Sequence, residues 1–405
     1  MPRSNETYDV VVVGAGIQGL AQARAAAMRG LRVLVLERSP RALGASVRNF
    51  GMIWPIGQPR GLRLELALQS RRIWLDFARA AALPLRDCGS LFVAIDNDEA
   101  EVMEDFARNQ GGDGLELTWL DRTACASASS LVRPDAVVGG MLSATEAGVD
   151  PWQAMEALAA WLSAEHGVDI AWNESVVEAS EDGVATNRGR IFSAERVVIC
   201  EGASAMRLFP EAFEGQDLVP CRLQMLRTMA LGLDMGPMLA TGLTLRHYPS
   251  FRIAARDPAR FMDFDRRVAS ENAAIDRYGI HVMVAQDREG RLVLGDSHVY
   301  DSAITPFRSE RIDQVILDEL DRRFLVRALP IEERWLGTYL VRRGHAVFVH
   351  DVLPNVRIVN GLGGNGMTLS FGIAERMWLD WNDADLLAGL PEANASSAPH
   401  ETRAT

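Results

Sequence analysis

The sequence contains no lysine: all 42 of its Lys and Arg residues are arginine, in a chain of 405 residues. A chain without lysine cannot form a Schiff base with pyridoxal phosphate or with a carbonyl substrate, which excludes both of those enzyme classes. It also cannot form the Gly-Lys-Ser/Thr end of a P-loop, which excludes Walker-type ATPases. Codon usage in a GC-rich genome accounts for the absence itself, and the chemical exclusions hold whatever its cause.

Cysteine, excess positive charge and long apolar runs are also lacking. The four cysteines (Cys88, Cys125, Cys200 and Cys221) form no C-x-x-C pair, as expected of reduced thiols in a cytoplasmic protein. The net charge of −12 disfavours nucleic acid and anionic membranes as partners. The N-terminus lacks the shape of a signal peptide, and no apolar stretch reaches the roughly 20 residues of a membrane span. We therefore expect a cytoplasmic protein, a monomer or a homodimer, that binds neither nucleic acid nor membrane.

The first forty residues have the pattern of a βαβ unit. An apolar run at 8–13 predicts a buried parallel strand, 17–29 predicts a helix that Gly30 ends, and 31–36 predicts a second strand that leads to Glu37. A G-x-G-x-x-G turn joins the first strand to the helix, with the residues Gly14, Ala15, Gly16, Ile17, Gln18 and Gly19. Because this turn has the right flanking elements, it predicts a dinucleotide-binding site.

Each glycine of that turn has a separate part in binding a dinucleotide. Gly14 permits the tight turn, Gly16 lets the backbone approach a pyrophosphate, and Gly19 lets the helix pack closely on the sheet. The helix N-terminus then presents free N–H groups to the phosphates. Glu37 lies 18 residues beyond Gly19 and can accept hydrogen bonds from both ribose hydroxyls. A carboxylate there disfavours a 2′-phosphate, so NADP is not expected.

A second glycine-rich turn near the C-terminus distinguishes FAD from NAD. It spans 360–366, between a predicted strand at 355–359 and a predicted helix at 367–381. Backbone amides at such a helix start suit the N1–C2=O edge of a flavin, which becomes negative on reduction. A simple NAD dehydrogenase has no need of a second turn of this kind, although that class stays open as an alternative.

Between these turns the sequence alternates between helical and strand patterns. Helices are predicted at 60–82, at 308–324 and at 151–166, where Asp150 is the expected N-cap. Alternating patterns at 86–147 and 218–305 predict short, largely antiparallel strands. The predicted fold class is α/β plus antiparallel β, in which a Rossmann-type FAD-binding domain (1–85, 148–217 and 330–385) is interrupted twice by a mixed or antiparallel-sheet substrate domain (86–147 and 218–329). Residues 386–405 are predicted to be a disordered tail.

With these motifs, the sequence resembles the D-amino-acid-oxidase-type family of FAD-dependent amine oxidoreductases, which includes glycine oxidase and sarcosine oxidase. The resemblance covers residue 8 to about 382 and includes GAGIQG, Glu37, GASVRNFG (44–51), GVDP (148–151), VVICEGA (197–203), PCRLQMLRT (220–228), GDSH (295–298) and GLGGNGMTLSFGIAE (361–375). The segments SVRNFGMIWPIGQP (46–59) and TLRHYPSF (244–251) are similar to a subgroup associated with bacterial breakdown of aminophosphonates.

The resemblance implies a set of cofactor-binding residues besides the first turn, Glu37 and the neighbouring Arg38. Ser46, Arg48 and Asn49 are expected on the pyrophosphate and N5 side of the flavin, and Val177 and Gly202 around the adenine. The pyrimidine edge of the flavin is expected to be held by Gly364, Asn365, Gly366, Met367 and Thr368. Of all these residues, Arg48, Asn49 and Thr368 are implied as catalytic.

Two departures from the family pattern modify these expectations. Some sarcosine oxidases attach the flavin through a cysteine that follows a Trp-x-Gly segment, and here residues 335–342 contain no cysteine. We therefore expect non-covalent FAD and no metal ion. Those enzymes also place a lysine above the flavin to help O₂ accept an electron. In this chain an arginine, a histidine or the substrate ammonium must do so, or O₂ is not the preferred acceptor.

The polar residues expected to bind substrate lie in the second strand-rich region, with two further side chains reaching in. They are Gln58, Arg246, His247, Tyr248, His281, Gln286, His298 and Arg342. Arg246, His247 and Tyr248 form a candidate anion clamp, of which a regular strand would point only two into the pocket. A phosphonate, with up to two charges and three acceptor oxygens, suits Arg, His and Tyr partners.

The expected reaction is oxidation of a small anionic amine. A neutral amine passes hydride from its α carbon to the flavin, and the imine then hydrolyses. The first hypothesis is oxidation of 2-aminoethylphosphonate, or its N-methyl derivative, to phosphonoacetaldehyde plus ammonia or methylamine, with O₂ (giving H₂O₂) or another acceptor reoxidising the flavin. The alternatives are a glycine, sarcosine or D-amino-acid oxidase, for which Arg342 would bind the carboxylate, and a non-catalytic FAD-binding subunit.

Overall fold

A computed structural model of the protein describes residues 7–301, 303, 305–383, 387 and 390. Most of the predicted disordered tail at 386–405 lies outside the described residues. Leu387 and Leu390 are described, however, and both are buried against the core of the first domain. The backbone N–H of Ala346 also donates to the carbonyl of Leu390. The prediction of disorder is therefore wrong at these two positions.

Strands and helices alternate along the whole described chain. The strands are β1 Thr7–Val13, β2 Val33–Glu37, β3 Met52–Ile53, β4 Leu85–Arg86, β5 Ser90–Ala94, β6 Leu117–Asp121, β7 Gly139–Ser143, β8 Ala147–Val149, β9 Asp169–Trp172, β10 Val176–Ser180, β11 Gly183–Thr186, β12 Ile191–Ile199, β13 Leu218–Thr228, β14 Met238–Thr241, β15 Met283–Gln286, β16 Leu292–Gly295, β17 Val299–Tyr300, β18 Ile331–Arg342, β19 Phe348–Leu353 and β20 Val356–Asn360. The α-helices are α1 Ile17–Ala27, α2 Leu62–Ala80, α3 Asn97–Gln110, α4 Arg122–Ala128, α5 Pro151–His166, α6 Gly242–His247, α7 Pro249–Ala254, α8 Pro258–Glu271, α9 Ala273–Arg277, α10 Glu310–Asp321 and α11 Gly366–Met377. Short 3-10 helices span Ala45–Val47, Pro55–Gly57, Gly202–Arg207, Pro210–Phe213 and Gly363–Asn365.

The first sheet has a parallel centre in which β1 lies between β2 and β12, while β9 and β20 continue the parallel pairing outward. Its central strand is apolar and buried throughout Val10–Val13, as predicted for a strand covered on both faces. The helices α1, α5 and α11 pack together on this sheet. As predicted, Asp150 caps α5, since its carboxylate accepts hydrogen bonds from the N–H groups of Trp152 and Gln153.

The second sheet has nine strands in the order β17-β13-β16-β15-β14-β5-β7-β6, with β18 paired to β13. All of its pairings are antiparallel except that of β14 with β5. A small sheet of β3, β8 and β4 lies at the crossings between the two regions. The predicted fold class, a parallel α/β region interrupted by mixed and antiparallel sheet, is confirmed.

Two parts of the sequence interpretation differ from the structure. Strands were expected throughout 86–147 and 218–305, but α3 and α4 lie in the first range and α6–α9 in the second. The segment TLRHYPSF is therefore helical and not a strand. Strand β18 also pairs with β13 of the second sheet, so the chain returns to the first sheet with β19 and not at residue 330. Among the described helices, none is long and apolar enough to cross a membrane.

Candidate flavin and amine site

The turn between β1 and α1 fits a dinucleotide in the way that the sequence predicts. Gly14 has a φ of +105°, which side chains rarely allow. A Cβ at Gly19 would lie 1.8 Å from the carbonyl oxygen of Gly14, so only glycine permits this close approach. A Cβ at Gly16 would lie 3.0 Å from the hydroxyl oxygen of Ser46, at the mouth of the turn.

Polar groups around this turn are arranged toward its N–H groups. The carboxylate of Glu37 accepts hydrogen bonds from the N–H groups of Ala15 and Ser39, both at 2.9 Å, and the Ser46 hydroxyl accepts one from Ile17 N–H at 2.9 Å. The side chain of Gln18 is buried, and neither its Nε2 nor its Oε1 has a partner among the described residues. Buried polar atoms usually have partners, so these orphaned atoms fit a site that holds a polar cofactor.

The second glycine-rich turn lies against the first. A Cβ at Gly366, the first residue of α11, would lie 3.4 Å from a methyl group of Ile17. Indole N–H of Trp74 donates to the Met367 carbonyl at 2.8 Å, and the hydroxyl of Thr368 accepts from the backbone N–H of Trp54 at 2.9 Å. The two turns that the sequence separates by more than 340 residues therefore border one space.

The other predicted cofactor residues lie around the same turns, with contacts that position them. Asn49 holds its own loop, since its amide donates to the carbonyls of Ala45 and Ser46 and its Oδ1 accepts from Gly51 N–H. Arg48 is exposed and donates to the Leu336 carbonyl at 3.1 Å. Arg38 lies near enough to Glu201 to lower the pKa of that carboxyl, although burial raises it more.

On the predicted adenine side, the backbone is more informative than the side chains. Val177 is 58% exposed, and its backbone contact with the adenine stays a prediction. Gly202 has a φ of +60°, and its carbonyl accepts a hydrogen bond from the Asn360 amide at 2.8 Å. The catalytic roles implied for Arg48, Asn49 and Thr368 stay predictions.

Three histidines and a tyrosine meet beside these turns. His247 and Tyr248 end α6, His281 precedes β15, and His298 precedes β17. The ring centroids of His247 and His281 are 3.8 Å apart, and those of His281 and His298 are 4.7 Å apart. The Tyr248 ring is 5.0 Å from His247 and 5.8 Å from His281. We call His247, Tyr248, His281 and His298, together with Asp296, the polar cluster.

Two contacts attach the polar cluster to the flavin-side turns. A Cβ at Gly57 would lie 2.7 Å from the ring of Tyr248, and the next residue, Gln58, donates to Asn365 Oδ1 at 2.9 Å. On the other side, a Cβ at Gly364 would lie 3.5 Å from the hydroxyl oxygen of Tyr339. The cluster therefore borders the C-terminal glycine-rich turn, where an amine must lie to react.

Burial keeps the imidazoles of the cluster neutral. It lowers the pKa of His298 to about 4 and the pKa values of His247 and His281 well below the usual range. Much of the His247 ring is solvent-accessible even though protein atoms surround it densely enough to lower its pKa. The lowered pKa is therefore best supported at His281 and His298, whose side chains are buried.

The three histidines are not arranged as ligands of one metal ion. Their nitrogen atoms lie within 4.8 Å of one another, which meets a distance criterion alone. A metal bound to an imidazole lies close to the ring plane, but the planes of His281 and His298 are inclined by only 21° and those of His247 and His281 by 30°. Nearly parallel stacked planes do not meet at one point close to the rings, so the cluster is better suited to binding protons and hydrogen-bonding groups.

The two arginines predicted to bind substrate, Arg246 of the anion clamp and Arg342, have other partners in the structure. Arg246 forms ion pairs with Asp265 and Asp276 at 2.6 and 2.9 Å. Arg342 donates to the side chain of Gln216 at 3.2 Å and stacks over Phe348. In β18, Arg342 and Tyr339 are three residues apart, and alternation places them on opposite faces.

The two glutamines of the predicted set also differ in their surroundings. Gln58 is buried and accepts two hydrogen bonds from Arg63. Gln286 binds the backbone of Leu233 and Met235 and lies apart from the cluster. Of the residues predicted to bind substrate, His247, Tyr248, His281 and His298 converge, whereas Arg246 and Arg342 are engaged with other side chains and their substrate roles stay predictions.

Asp296, which the sequence interpretation missed, lies between two of these histidines. Its Oδ1 is 3.5 Å from His281 Nε2, and its Oδ2 is 3.7 Å from His298 Nε2. Burial raises the pKa of this carboxyl well above its ordinary range. The sequence does contain a signal, the segment Gly-Asp-Ser-His at the end of a buried strand, but only its histidine was predicted to bind substrate.

Comparisons with known proteins agree with this arrangement. The family model described as FAD dependent oxidoreductase matches residues 9–377. A relative over nearly the whole chain is the gamma-glutamylputrescine oxidoreductase of Escherichia coli K12, with 24% identity over 95% of this chain and 87% of the relative. The human mitochondrial L-2-hydroxyglutarate dehydrogenase is 32% identical over 28% of this chain and 26% of its own length.

Solved structures show the same fold. Glycine oxidase from Geobacillus kaustophilus superposes with a TM-score of 0.73, 19% identity and 95% coverage of both chains. L-proline dehydrogenase from P. horikoshii superposes with a TM-score of 0.76 and 18% identity over 94% of this chain and 95% of that one. The predicted cofactor, FAD, is confirmed, and the chain belongs to the family of FAD-dependent oxidoreductases.

Proposed function

We propose that the protein oxidises the CH–NH bond of a small amine with an anionic head group, and that its substrate is 2-aminoethylphosphonate or the N-methyl derivative. Bound FAD supplies the hydride acceptor for this reaction. The product imine hydrolyses to phosphonoacetaldehyde and ammonia or methylamine. Amine oxidation is also what the names of two similar proteins, gamma-glutamylputrescine oxidoreductase and glycine oxidase, indicate for those proteins.

The observation that carries the head-group assignment is the convergence of His247, His281, His298 and Tyr248 on one space beside the flavin-side turns. A phosphonate has three acceptor oxygens, and each imidazole N–H and the tyrosine hydroxyl can donate to one of them. A doubly charged head group also favours protonation of neighbouring imidazoles, which turns neutral donors into charge-assisted ones.

The carboxylate alternative lacks the partner that it needs. A glycine, sarcosine or D-amino-acid oxidase is expected to bind the substrate carboxylate with an arginine fork. Arg342 was the candidate for that fork, but its side chain is engaged with Gln216 and Phe348. Within the described part of the chain, no arginine forms a hydrogen bond or an ion pair with the three histidines, which favours a head group that histidine and tyrosine can bind.

The same shortage of arginine favours one second candidate, an amine without an anionic head group. Asp296 and the neutral imidazoles would then bind the amine by hydrogen bonds alone. A relative covered over 87% of its length is named for gamma-glutamylputrescine, whose putrescine amine has no anion beside it because its carboxylate is at the far, glutamyl end.

Anaerobic bleaching of the flavin absorption tests all of these substrates together. The purified holoenzyme is mixed with 2-aminoethylphosphonate, its N-methyl derivative, glycine, sarcosine, D-alanine and gamma-glutamylputrescine. We expect rapid bleaching with the two phosphonates. Bleaching by glycine, sarcosine or gamma-glutamylputrescine in the absence of any effect of the phosphonates would refute the head-group assignment. Phosphonoacetaldehyde, trapped as its hydrazone, identifies the product.

A further inference from the structure

Asp296 is a buried carboxyl group without a strong cation of its own. It is 4% exposed, and its Oδ1 has no hydrogen-bond partner among the described residues. Among the described residues its basic neighbours are His281 and His298, at 3.5 and 3.7 Å, and burial lowers the pKa of both imidazoles below the usual range. A buried carboxylate in such surroundings is costly, so the group holds a proton or awaits a cationic partner.

The hydrogen-bonding of His298 gives the proton a definite place. Its Nδ1 lies 3.1 Å from the carbonyl oxygen of Gly279, so Nδ1 carries hydrogen and donates to it. In the neutral ring, Nε2 is then a bare acceptor that faces Asp296 Oδ2. Two acceptors facing each other repel unless a proton lies between them, and a protonated Asp296 supplies that proton.

Several titratable groups from separate elements surround this carboxyl. Tyr339 and Cys221 are directly opposite each other on β18 and β13, and Tyr300 pairs with Cys221 from β17. None of them is a cation, and burial raises the pKa values of Tyr339 and Cys221. Among the described residues, the titratable groups that interact with Asp296 are Cys221, Tyr248, His281, His298 and Tyr339.

An amine oxidoreductase must convert its substrate to the protonation state that can react. Its substrate arrives mostly as an ammonium ion, but only the neutral amine, with a free electron pair on nitrogen, can pass hydride from its α carbon. We propose that the ionised carboxylate of Asp296 binds the substrate nitrogen and takes the proton that the ammonium group loses; where the carboxyl is protonated in the empty site, its own proton leaves to solvent as the ammonium ion binds. In this step one N–H bond breaks and one O–H bond forms, the N–H electron pair stays on nitrogen, and the carboxylate charge is neutralised. The inference rests on the amine-oxidising part of the proposed function and not on the phosphonate head group.

Burial makes this direction of transfer favourable. In water an ammonium ion and a carboxylate are the stable pair, but a buried environment disfavours both charges and favours a neutral amine beside a neutral carboxyl group. While Asp296 is protonated, binding an ammonium ion in this form releases one proton to solvent, so affinity rises with pH. Once pH exceeds the pKa of Asp296 in the empty site, no net proton is released and affinity levels off. Without the carboxyl, affinity keeps rising until the amine itself is neutral in solution.

The Asp296→Asn variant tests this pH dependence. Asparagine mimics the shape of a protonated carboxyl group, so we expect the variant to fold and to retain FAD. Methylamine, 2-aminoethylphosphonate and sarcosine are titrated anaerobically into both holoenzymes from roughly pH 6 to pH 10. Perturbation of the flavin spectrum measures methylamine binding, and the rate of flavin reduction measures the other two. Below the pKa of Asp296 in the empty site, we expect both proteins to bind amine similarly and with the same rise in affinity with pH. Above that pKa we expect the affinity of the wild type to level off while that of the variant keeps rising, so that the two diverge by about tenfold per pH unit.

A matched control is Asp287→Asn. Asp287 is also a buried carboxyl in the second sheet, but it is paired with Arg291 at 2.7 Å and lies at the opposite end of β15 from His281. This variant should keep the wild-type pH profile. A second measurement needs no amine oxidation: infrared difference spectra of the wild-type protein should contain a protonated-carboxyl band that changes when methylamine binds and that is missing in Asp296→Asn.

The outcomes separate this inference from the proposed function. An Asp296→Asn protein with the wild-type pH profile, or a wild-type protein that binds none of the three amines, overturns the role of Asp296. If methylamine or sarcosine shows the Asp296-dependent profile and 2-aminoethylphosphonate does not bind, the phosphonate assignment fails while the role of Asp296 stands. If 2-aminoethylphosphonate reduces both proteins with one common profile, the phosphonate assignment stands and the role of Asp296 fails.

Discussion

Glu146 is a buried residue whose substitution tests how the turn before Gln58 is held in place. Its side chain has 0% exposure, its Oε1 accepts from the backbone N–H of Ile56 at 3.1 Å, and its Oε2 accepts from the Ser90 hydroxyl at 3.0 Å. Ile56 is the middle residue of the 3-10 turn Pro55–Gly57. The last residue of this turn, Gly57, precedes Gln58 and lies against the Tyr248 ring. Burial raises the pKa of Glu146, so we expect a neutral carboxyl group that holds this turn in place.

Two substitutions separate the shape of Glu146 from its charge. In Glu146→Gln the amide oxygen still accepts from Ile56 N–H and the amide nitrogen can donate to Ser90, so we expect a change within about 1 kcal/mol. In Glu146→Ala the Ile56 donor is left unsatisfied, which costs about 1–3 kcal/mol. The cavity left by the side chain adds a further cost of about 2 kcal/mol, for a total of about 3–5 kcal/mol.

Urea unfolding in saturating FAD measures these changes, since excess cofactor holds ligand binding constant. The folded-state pKa of Glu146 is raised, so its stabilising contribution is fully present below the ordinary carboxyl pKa and is lost as pH rises through the folded-state pKa. Wild type should therefore lose stability relative to Glu146→Gln as pH rises. Alanine should also weaken substrate binding, because the turn that carries Gln58 is released.

A contrasting control comes from Glu99, a carboxyl that is equally buried but ion-paired with Arg323 at 2.6 Å. Glu99→Gln removes the shorter of two carboxylate contacts of buried Arg323 and leaves Glu319 at 3.5 Å, so it should cost about 1.5–3 kcal/mol, the range for a hydrogen bond to a charged group. The reasoning about Glu146 is refuted if its glutamine variant is destabilised as much as its alanine variant. It is equally refuted if wild type gains stability over Glu146→Gln with rising pH.

Three further predictions follow from the same contacts. Gly19→Ala should give a protein that loses FAD and its yellow colour, because the new Cβ meets the Gly14 carbonyl oxygen, whereas Gly111→Ala, whose nearest Cβ neighbour is 3.7 Å away, should keep both. Arg246→Ala should leave the KM for the anionic substrate unchanged within about twofold, since Arg246 pairs with two aspartates. A tenfold higher KM in this variant would instead show that Arg246 binds the anionic head group. Stopped-flow mixing of reduced enzyme with O₂ should show slow reoxidation because the chain has no lysine to stabilise superoxide, and fast reoxidation would contradict this.

The parts of the fold that sequence alone predicted are those with local causes. Strand β1 is a continuous apolar run, and the glycines that follow it are required by a φ of +105° at one position and a backbone approach at another. Asp150 caps α5 through bonds to residues two and three positions ahead. Such interactions depend only on near neighbours in sequence, so composition and spacing are sufficient to predict them.

The segment 242–254 was misinterpreted because its polar and apolar residues alternate over a short distance. Its helical signals were also present: Thr241 and Thr244 form a capping box at the start of α6, and Pro249 opens α7. The difference matters for function. In a strand, Arg246 and Tyr248 would share a face, whereas at the end of a helix Arg246 turns toward Asp265 and Tyr248 packs on Gly57.

Asp296 shows why the chemistry of the site exceeded what the sequence could predict. It is one of 54 acidic residues, and its place in the Gly-Asp-Ser-His segment does not tell whether an arginine pairs with it. Asp287, nine residues earlier, is also buried, yet Arg291 and Arg227 neutralise it. The difference between a structural carboxyl group and a proton acceptor is therefore whether a cation lies opposite it. Whether a cation is present depends on where strands and loops distant in sequence place their arginines. Near Asp296 the described basic residues are histidines whose pKa values are lowered, so the substrate ammonium ion can occupy the place of the missing cation.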